Sequence, residues 1–255
     1  QASEAREVVK PARAPFAHDE VVLNPLKYTL FRLDGHCFSR FVRAQKLTRP
    51  FDAAFSSAMR AACEAAFEEF RFATAFVGSD EITLVWDPLT QSQLDLGATL
   101  LFGGRTQKLL SVLAGCVSVA FFKALSAAHP LTADALPHFD CRWFQVASAA
   151  DVRDRLLERQ VYTLKNARLM YAQGFLSHKT LHGVPSNVAV DLVREHNGRD
   201  FYADVDVYNR IGGVLTRTLE RQTRVVPDGP RKGEEVSLVR AKLVWTFEKL
   251  HALDP

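Results

Sequence analysis

Apolar and polar residues along the first 150 positions fall into alternating strand-like and helix-like segments. A mostly apolar run covers about 28–34, and two runs rich in aromatic and β-branched residues, at 72–77 and 82–86, flank the polar sequence GSDE. Short apolar runs bounded by Gly, Asp or Ser are typical of strands, and two of them around a short polar turn predict a hairpin. The sequence HFDCRWFQV at 138–146 predicts a further strand.

Two helices are predicted between these strands. The first covers about 53–70: Asp52 or a neighbour can cap it, and apolar residues recur at three- and four-residue steps, namely Phe55, Met59, Ala62, Ala66, Phe67 and Phe70. The second runs from about 105 to 127 and contains an apolar run, 109–122, that is too short for a membrane span and predicts a buried helix. The order strand, helix, hairpin, helix, strand predicts an α+β fold, with an antiparallel split βαβ, ferredoxin-like sheet and helices packed on one face.

The two ends of the chain are less regular than this core at 26–148. Residues 1–25 mix Ala, Pro and charged residues without periodicity and predict a flexible N-terminal arm. The C-terminal part, 149–255, predicts a charged helix at about 149–160, a helix near 161–176, and then short helices and strands packed on the core. The sequence RAKLVWTF at 240–247 predicts a final strand.

Composition and charge are those of a soluble globular protein with local basic clusters. Hydrophobic residues make up 47% and charged residues 24%, and the net charge is +3. The first basic cluster contains one acidic residue, Asp34, among six basic ones: Lys27, Arg32, Arg40, Arg43, Lys46 and Arg49. The second cluster consists of Arg217, Arg221, Arg224, Arg231 and Lys232. Such clusters suit a polyanion such as RNA or a triphosphate, although a solvated basic face is the alternative for either one.

The four cysteines are widely spaced and form no CxxC pair. This spacing favours neither a zinc knuckle nor a disulfide framework, so we expect a reducing compartment such as the cytoplasm or the mitochondrial matrix. No signal peptide is predicted in the sequence as it begins at Gln1.

Two acidic residues stand where predicted strands end. Asp34 closes the first strand and Asp80 lies in the predicted hairpin turn, and these strands are neighbours in a split βαβ sheet. Two carboxylates at adjacent strand ends can hold a pair of Mg²⁺ ions, and Gly35 allows close approach and offers its carbonyl as a further ligand. Taken separately, however, Asp-Gly and GSDE are also common structural turns.

The ordered set of short motifs points to a known family. RLDGHCFSRF, RPFD, GSDE, RTQK and FDCR occur in this order between about 28 and 174, and the set resembles the tRNA-histidine guanylyltransferase superfamily. Those enzymes add nucleotides to the 5′ end of tRNA in the 3′-to-5′ direction. The resemblance implies a catalytic domain similar to the palm of ordinary polymerases, with ATP or GTP as substrates, tRNA as partner and a homo-oligomer, commonly a tetramer.

Site residues are carried over from the motifs one by one. The resemblance implies that Asp34 and Asp80, with the Gly35 carbonyl, bind two Mg²⁺ ions and that Glu81 stands beside them as a further catalytic acid. It also implies a set of nucleotide-binding residues that comprises Gly35, His36, Cys37 and Phe38 in the pocket and Arg49, Ser79, Arg105 and Lys108 on the triphosphate.

One departure from the family pattern bears on specificity. Members specific for histidine tRNA carry His-Ile-Asn-Asn after an Arg-Gln, where this chain has Leu164-Lys165-Asn166-Ala167. Because leucine cannot make the hydrogen bonds that anticodon recognition needs, the chain resembles the template-dependent branch, the guanylyltransferase-like proteins that repair 5′-truncated tRNAs by Watson–Crick pairing. The expected tRNA contacts are Arg142, Lys165, Asn166, Arg217, Arg221 and Arg224.

Three other functions remain open at this point. The chain could be a guanylyltransferase specific for histidine tRNA, a nucleotidyl cyclase-like enzyme with a similar pair of metal-binding aspartates, or a non-catalytic RNA-binding module that keeps the palm shape. Bare carboxylates beside bound phosphate are costly without cations, which weighs against the non-catalytic module.

Overall fold

The six strands of the computed structural model form one antiparallel sheet. The structure describes residues 20–132, 136–225, 228–230 and 232–248. The strands are β1 (Tyr28–Gly35), β2 (Thr74–Gly78), β3 (Glu81–Trp86), β4 (Phe139–Val146), β5 (Gly213–Val225) and β6 (Glu235–Thr246), and their order is β4-β1-β3-β2-β5-β6. The predicted α+β class and the four predicted core strands are therefore confirmed.

Helices connect the strands and follow β4. They are α1 (Phe38–Ala44), α2 (Ala53–Glu69), α3 (Gln91–Asp95), α4 (Thr106–Ala128), α5 (Ala149–Gln173), α6 (His178–Leu181), α7 (Ser186–Asn197), α8 (Phe201–Asp204) and α9 (Val207–Ile211), with a 3₁₀ turn at Leu101–Gly104. Helix α2 begins as predicted, because the Asp52 carboxylate accepts a hydrogen bond of 2.9 Å from the Phe55 amide.

The core helices α2 and α4 pack on one face of the sheet, as predicted, and α5 of the C-terminal part covers the opposite face. Residues of a strand alternate between faces, so Phe31 and Leu33 join the main core with α2 and α4. Leu30 points to the opposite face, where it clusters with Val152 and Leu156 of α5. The residues that follow Leu30 at every second position, Arg32 and Asp34, therefore lie on the α5 face.

Helix α5 is continuous where two helices were predicted. No Gly or Pro interrupts 149–173, and Gly174 is the first residue able to end the helix easily. Its N-terminus carries a capping box, in which Ser148 and Asp151 exchange side-chain-to-backbone hydrogen bonds. One long helix can therefore span from the sheet face at its start to the helical cluster around α7.

The described part of the N-terminal arm is partly ordered. Leu23 is buried and its amide donates a 2.9 Å hydrogen bond to the Gly104 carbonyl, so this residue packs on the core although it was predicted to belong to the arm. Residues 1–19 lie outside the described residues. At the other end of the core, β5 pairs with β2, so the sheet continues past the predicted division at 148.

Helix α4 is the one described helix that is long and apolar enough to cross a membrane by length and composition alone. Core helices pass the same test. Leu113 and Phe121 of α4 are fully buried in the main core, and Val119 and Phe122 are exposed.

Candidate active site

Asp34 and Asp80 come together at one edge of the sheet. Because β1 runs antiparallel to β3, the end of β1 lies beside the β2–β3 turn, and the Gly35 amide donates a 3.0 Å hydrogen bond to the Asp80 carbonyl. Ser79 adopts a left-handed backbone conformation (φ 56°), and its hydroxyl donates to the Asp80 carboxylate at 3.1 Å. The turn thus fixes the Asp80 side chain beside the end of β1.

The environment of Asp80 opposes its negative charge. Burial raises the pKa of the Asp80 carboxyl, and the nearby charge of Asp34 raises it further, while Ser79 and Arg32 act in the opposite direction. A cation between the two carboxylates would relieve this repulsion, and oxygen donors are those that Mg²⁺ prefers. Within the described ranges no group of three or more His, Cys, Asp or Glu side chains is arranged to hold a metal ion, so nucleotide phosphates and water would have to complete the coordination.

Glu81 is held by arginines instead of facing this pair. It begins β3 and is 8% exposed. Its Oε1 lies 2.6 Å from Arg159 Nε, its Oε2 accepts a 3.0 Å hydrogen bond from Arg159 Nη2, and Arg32 Nη2 lies 2.7 Å from the same Oε2. Burial raises the pKa of the Glu81 carboxyl, although both arginines lower it. Arg159 is a residue that sequence reasoning missed: the pair Arg159-Gln160 served only as a landmark for the comparison at 164–167, and the contact of Arg159 with Glu81 was not predicted.

Asp140 is a second residue that sequence reasoning missed. In the sheet register Asp34 lies between Glu81 on β3 and Asp140 on β4, so three acidic residues form one row across three strands. Like charges in directly opposed positions are destabilising unless they are compensated. Arg142, which was predicted to contact tRNA, lies 3.3 Å from the Asp140 carboxylate and partly offsets its charge.

A cavity of about 460 Å³ opens beside Asp80. Phe38, Arg49, Ser79, Asp80 and Asn166, all predicted site residues, line it. The cavity wall is completed by α5 and α9, which contribute Thr163, Met170 and Tyr208 among others. The C-terminal part of the chain therefore forms one side of the same cavity whose other side carries the acidic turn.

Of the motif at 35–38, Phe38 lines the cavity, whereas Gly35, His36 and Cys37 lie at the same sheet edge outside the cavity lining. His36 stacks on His138 with 4.8 Å between ring centroids, and its amide donates to the His138 carbonyl at 2.9 Å. Cys37 is exposed, has a left-handed backbone conformation (φ 56°) and precedes the first residue of α1. Phe38 is buried and packs against Phe121.

Arg105 and Lys108 are not brought to the cavity within this chain. They lie at the start of α4, where the Lys108 ammonium stands 4.6 Å from the centre of the Phe102 ring. Phe121 of the same helix contacts Phe38 at the acidic edge, and 13 residues of helix separate it from Lys108, about 20 Å at 1.5 Å per residue. Their contact with a triphosphate stays a prediction.

Three of the four arginines predicted to contact tRNA, namely Arg217, Arg221 and Arg224, lie on β5. Only residues 213–216 of β5 pair with β2, so β5 and β6 continue beyond the sheet as a two-stranded ribbon. Arg217 is partly buried over the Phe67 ring at 5.3 Å and lies 3.5 Å from Glu68, whereas Arg221 is exposed. The side chain of Arg224 lies outside the described residues.

Comparison with known proteins places this arrangement in a family. The profile described as "Thg1: tRNAHis guanylyltransferase" matches residues 13–147, more than half of the chain. The chain belongs to the tRNAHis guanylyltransferase family. The predicted family membership is thereby confirmed.

Members of the guanylyltransferase family and related proteins share parts of the sequence. The tRNA(His) guanylyltransferase of Schizosaccharomyces pombe is 29% identical over 140 residues, which are 54% of this chain and 50% of that protein. The uncharacterized protein R259 of Acanthamoeba polyphaga mimivirus is 40% identical over 101 residues, 39% of this chain and 34% of that protein. The chain thus matches half or less of the length of these relatives.

Solved structures of the guanylyltransferase family have the same fold. A bacterial Thg1-like protein in complex with ATP superposes with a TM-score of 0.69 at 22% identity, covering 77% of this chain and 82% of that one. The guanylyltransferase of Saccharomyces cerevisiae gives a TM-score of 0.65 at 21% identity, covering 87% and 92%. At this level of identity the likeness establishes the fold.

Proposed function

We propose that this chain is a nucleotidyltransferase that adds nucleotides to the 5′ end of tRNA in the 3′-to-5′ direction, by template-dependent repair. The observation that carries the proposal is that Asp34 and Asp80 converge beside a cavity that Arg49, Ser79 and Asp80 line. Two carboxylates can hold the metal ions of a phosphoryl transfer, and the Arg49 guanidinium and the Ser79 hydroxyl beside them can bind phosphate oxygens. The sheet order β4-β1-β3-β2, with the acids at one edge, supports a palm-like core.

Two Mg²⁺ ions fit the chemistry of this edge. Asp34 and Asp80 would hold them, with the Gly35 carbonyl as a further oxygen donor. Burial and repulsion by Asp34 raise the pKa of Asp80, and bound cations would relieve the repulsion. When bound, the metal ions would neutralise phosphate charge and lower the pKa of an attacking hydroxyl.

The chain's own residues would bind and orient the nucleotide. The Arg49 guanidinium would bind phosphate oxygens, and the Ser79 hydroxyl, which now donates to Asp80, would be available to a phosphate once a cation occupies the acidic edge. Phe55 and Met170 give the cavity apolar surface on which a base can pack without a sequence-specific hydrogen bond.

Packing around Leu164 favours template-dependent repair over recognition of a histidine anticodon. Leu164 is partly buried against the cluster formed with α7, and its side chain carries no hydrogen-bonding group. Neighbouring Lys165 is exposed and Asn166 lines the cavity. With Lys165 as its cation and no side chain at 164 that can recognise a base, this site suits binding of the tRNA sugar-phosphate backbone. Specificity would then come from base pairing in the acceptor stem.

An extension assay tests the proposal. Several tRNAs that lack their first 5′ nucleotide are incubated with the four nucleoside triphosphates and Mg²⁺, next to intact histidine tRNA, and products are sized on gels. We expect extension that restores the paired acceptor stem, loss of extension in EDTA, and loss in folded Asp34→Asn and Asp80→Asn variants. Addition confined to intact histidine tRNA would replace repair with the histidine-specific reaction, and a cyclic nucleotide formed without tRNA would indicate a cyclase.

A further inference from the structure

An ionic triad joins helix α5 to the strand that follows the catalytic turn. Glu81 lies between Arg32 on β1 and Arg159 on α5, at 2.7 Å and 2.6 Å. Arg32 also lies 3.7 Å from the Asp34 carboxylate. The triad therefore links three elements, and its two arginines contact both oxygens of the Glu81 carboxylate.

The charge of Glu81 is already paired in this arrangement. Guanidinium nitrogens lie 2.6 Å from its Oε1 and 2.7 Å from its Oε2. The Glu81 side chain is also buried, so removal of one arginine would leave a poorly compensated charge.

Helix α5 contacts the turn at a second point and forms the cavity wall. A Cβ atom on Gly78, at the end of β2, would lie 2.3 Å from the Thr163 hydroxyl, so the two backbones approach closely one turn after Arg159. Thr163 and Asn166 then line the cavity. Arg159 is thus placed where a displacement of α5 would move the cavity wall relative to Ser79 and Asp80.

We infer that Arg159 is a positioning residue: through Glu81 it holds the Ser79–Asp80 turn in register with the cavity wall on α5. Arg159 touches neither the cavity nor the acidic pair directly, and it acts through the carboxylate that it shares with Arg32. This inference rests on the proposed function for its kinetic readout, and on the described contacts alone for its structural readout.

Four variants test it against a matched control. Arg159→Met removes the positive charge and the two contacts with the Glu81 carboxylate, whereas Arg159→Lys keeps only the charge. Glu81→Gln removes the negative charge that Arg159 contacts. The double variant Arg159→Met/Glu81→Gln removes both charges. The control is Arg155→Met, one turn earlier on α5, where Arg155 makes an exposed pair with Glu158 at 3.0 Å. Each protein is measured for kcat and KM of nucleotide addition, thermal unfolding, and hydrogen exchange of the amides at 78–82.

We expect Arg159→Met to lower kcat by about tenfold or more, because small misplacements of reacting groups cost that much. Arg159→Lys restores part of the loss, and the control matches wild type. The double variant should be no worse than the worse single variant, since both substitutions break one contact. Exchange at 78–82 should accelerate in Arg159→Met well below its unfolding temperature.

Wild-type kcat in Arg159→Met, losses that multiply in the double variant, or unchanged exchange at 78–82 would each overturn the inference. If wild type adds no nucleotide to any tRNA, the proposed function fails by itself, and the exchange comparison still decides whether Arg159 holds the turn.

Discussion

The close approach of Gly78 to α5 yields a prediction whose size follows from the structure. Gly78→Ala would place a methyl group 2.3 Å from Oγ1 and 2.9 Å from Cγ2 of Thr163, where ordinary contacts are 3.4–4 Å. The Thr163 side chain must therefore move by about 1 Å or push α5 away from β2, and overpacking of this kind costs about 1–3 kcal/mol of unfolding free energy. Because the turn residue Asp80 follows two positions later, a shift of that size should lower the rate of nucleotide addition by about 10²-fold.

Urea unfolding and the truncated-tRNA extension assay measure the two effects. Thr163→Ala removes both clashing atoms, so Gly78→Ala/Thr163→Ala should recover most of the activity that Gly78→Ala alone loses. Gly115→Ala is the matched control: this glycine lies inside α4, a methyl group added there would meet no described atom within 4 Å, and the change should stabilise by about 0.5–1 kcal/mol. A Gly78→Ala protein with wild-type stability and rate would refute the packing of α5 against the end of β2 beside the Ser79–Asp80 turn.

Three further predictions concern the cap of α2, the core and the basic ribbon. Asp52→Ala should cost about 1 kcal/mol by urea unfolding at neutral pH. Partial burial raises the pKa of the Asp52 carboxyl, but amide hydrogen bonds from Phe55 and Thr48 leave it below its ordinary value. The extra stability of the wild type over Asp52→Ala should therefore be present above the unfolded-state pKa and be lost as the pH falls through the folded-state pKa. Leu113→Ala, at a fully buried position of α4 in the main core, should cost about 2–5 kcal/mol of unfolding free energy. A loss below about 1 kcal/mol would contradict the observed packing. Arg221→Ala should reduce the salt slope of tRNA binding by about one unit without changing stability, and an unchanged slope would remove the β5–β6 ribbon from the tRNA interface.

The sequence alone predicted the core elements because each carries a strong local signal. The stripe that includes Met59 and Ala62 has helical spacing, both residues are fully buried, and Asp52 caps the helix as its position suggested. The hairpin around GSDE and the strand at β4 followed from runs of β-branched and aromatic residues. These features depend on neighbours within a few positions, so pattern is enough to find them.

The site was predicted as a set of residues and, in part, as an arrangement. Asp34 and Asp80 were expected at the ends of neighbouring strands, and the sheet register places those strand ends side by side. Glu81 was expected beside them in the turn, yet it begins β3 and contacts Arg32 and Arg159. Glu81 and Arg159 are 78 positions apart, and a contact between such distant residues produces no periodic pattern in the sequence.

What the sequence by itself determined is local: which segments become strands or helices, where α2 starts, and which family the motifs resemble. Tertiary structure decided that α5 covers the second face of the sheet and, with Tyr208 of α9, closes the cavity beside Asp80. It also decided that Lys108 lies about 20 Å along α4 from the acidic edge. The physical reason is that hydrophobic burial and ion pairing act between surfaces, and those surfaces exist only once distant segments have packed together.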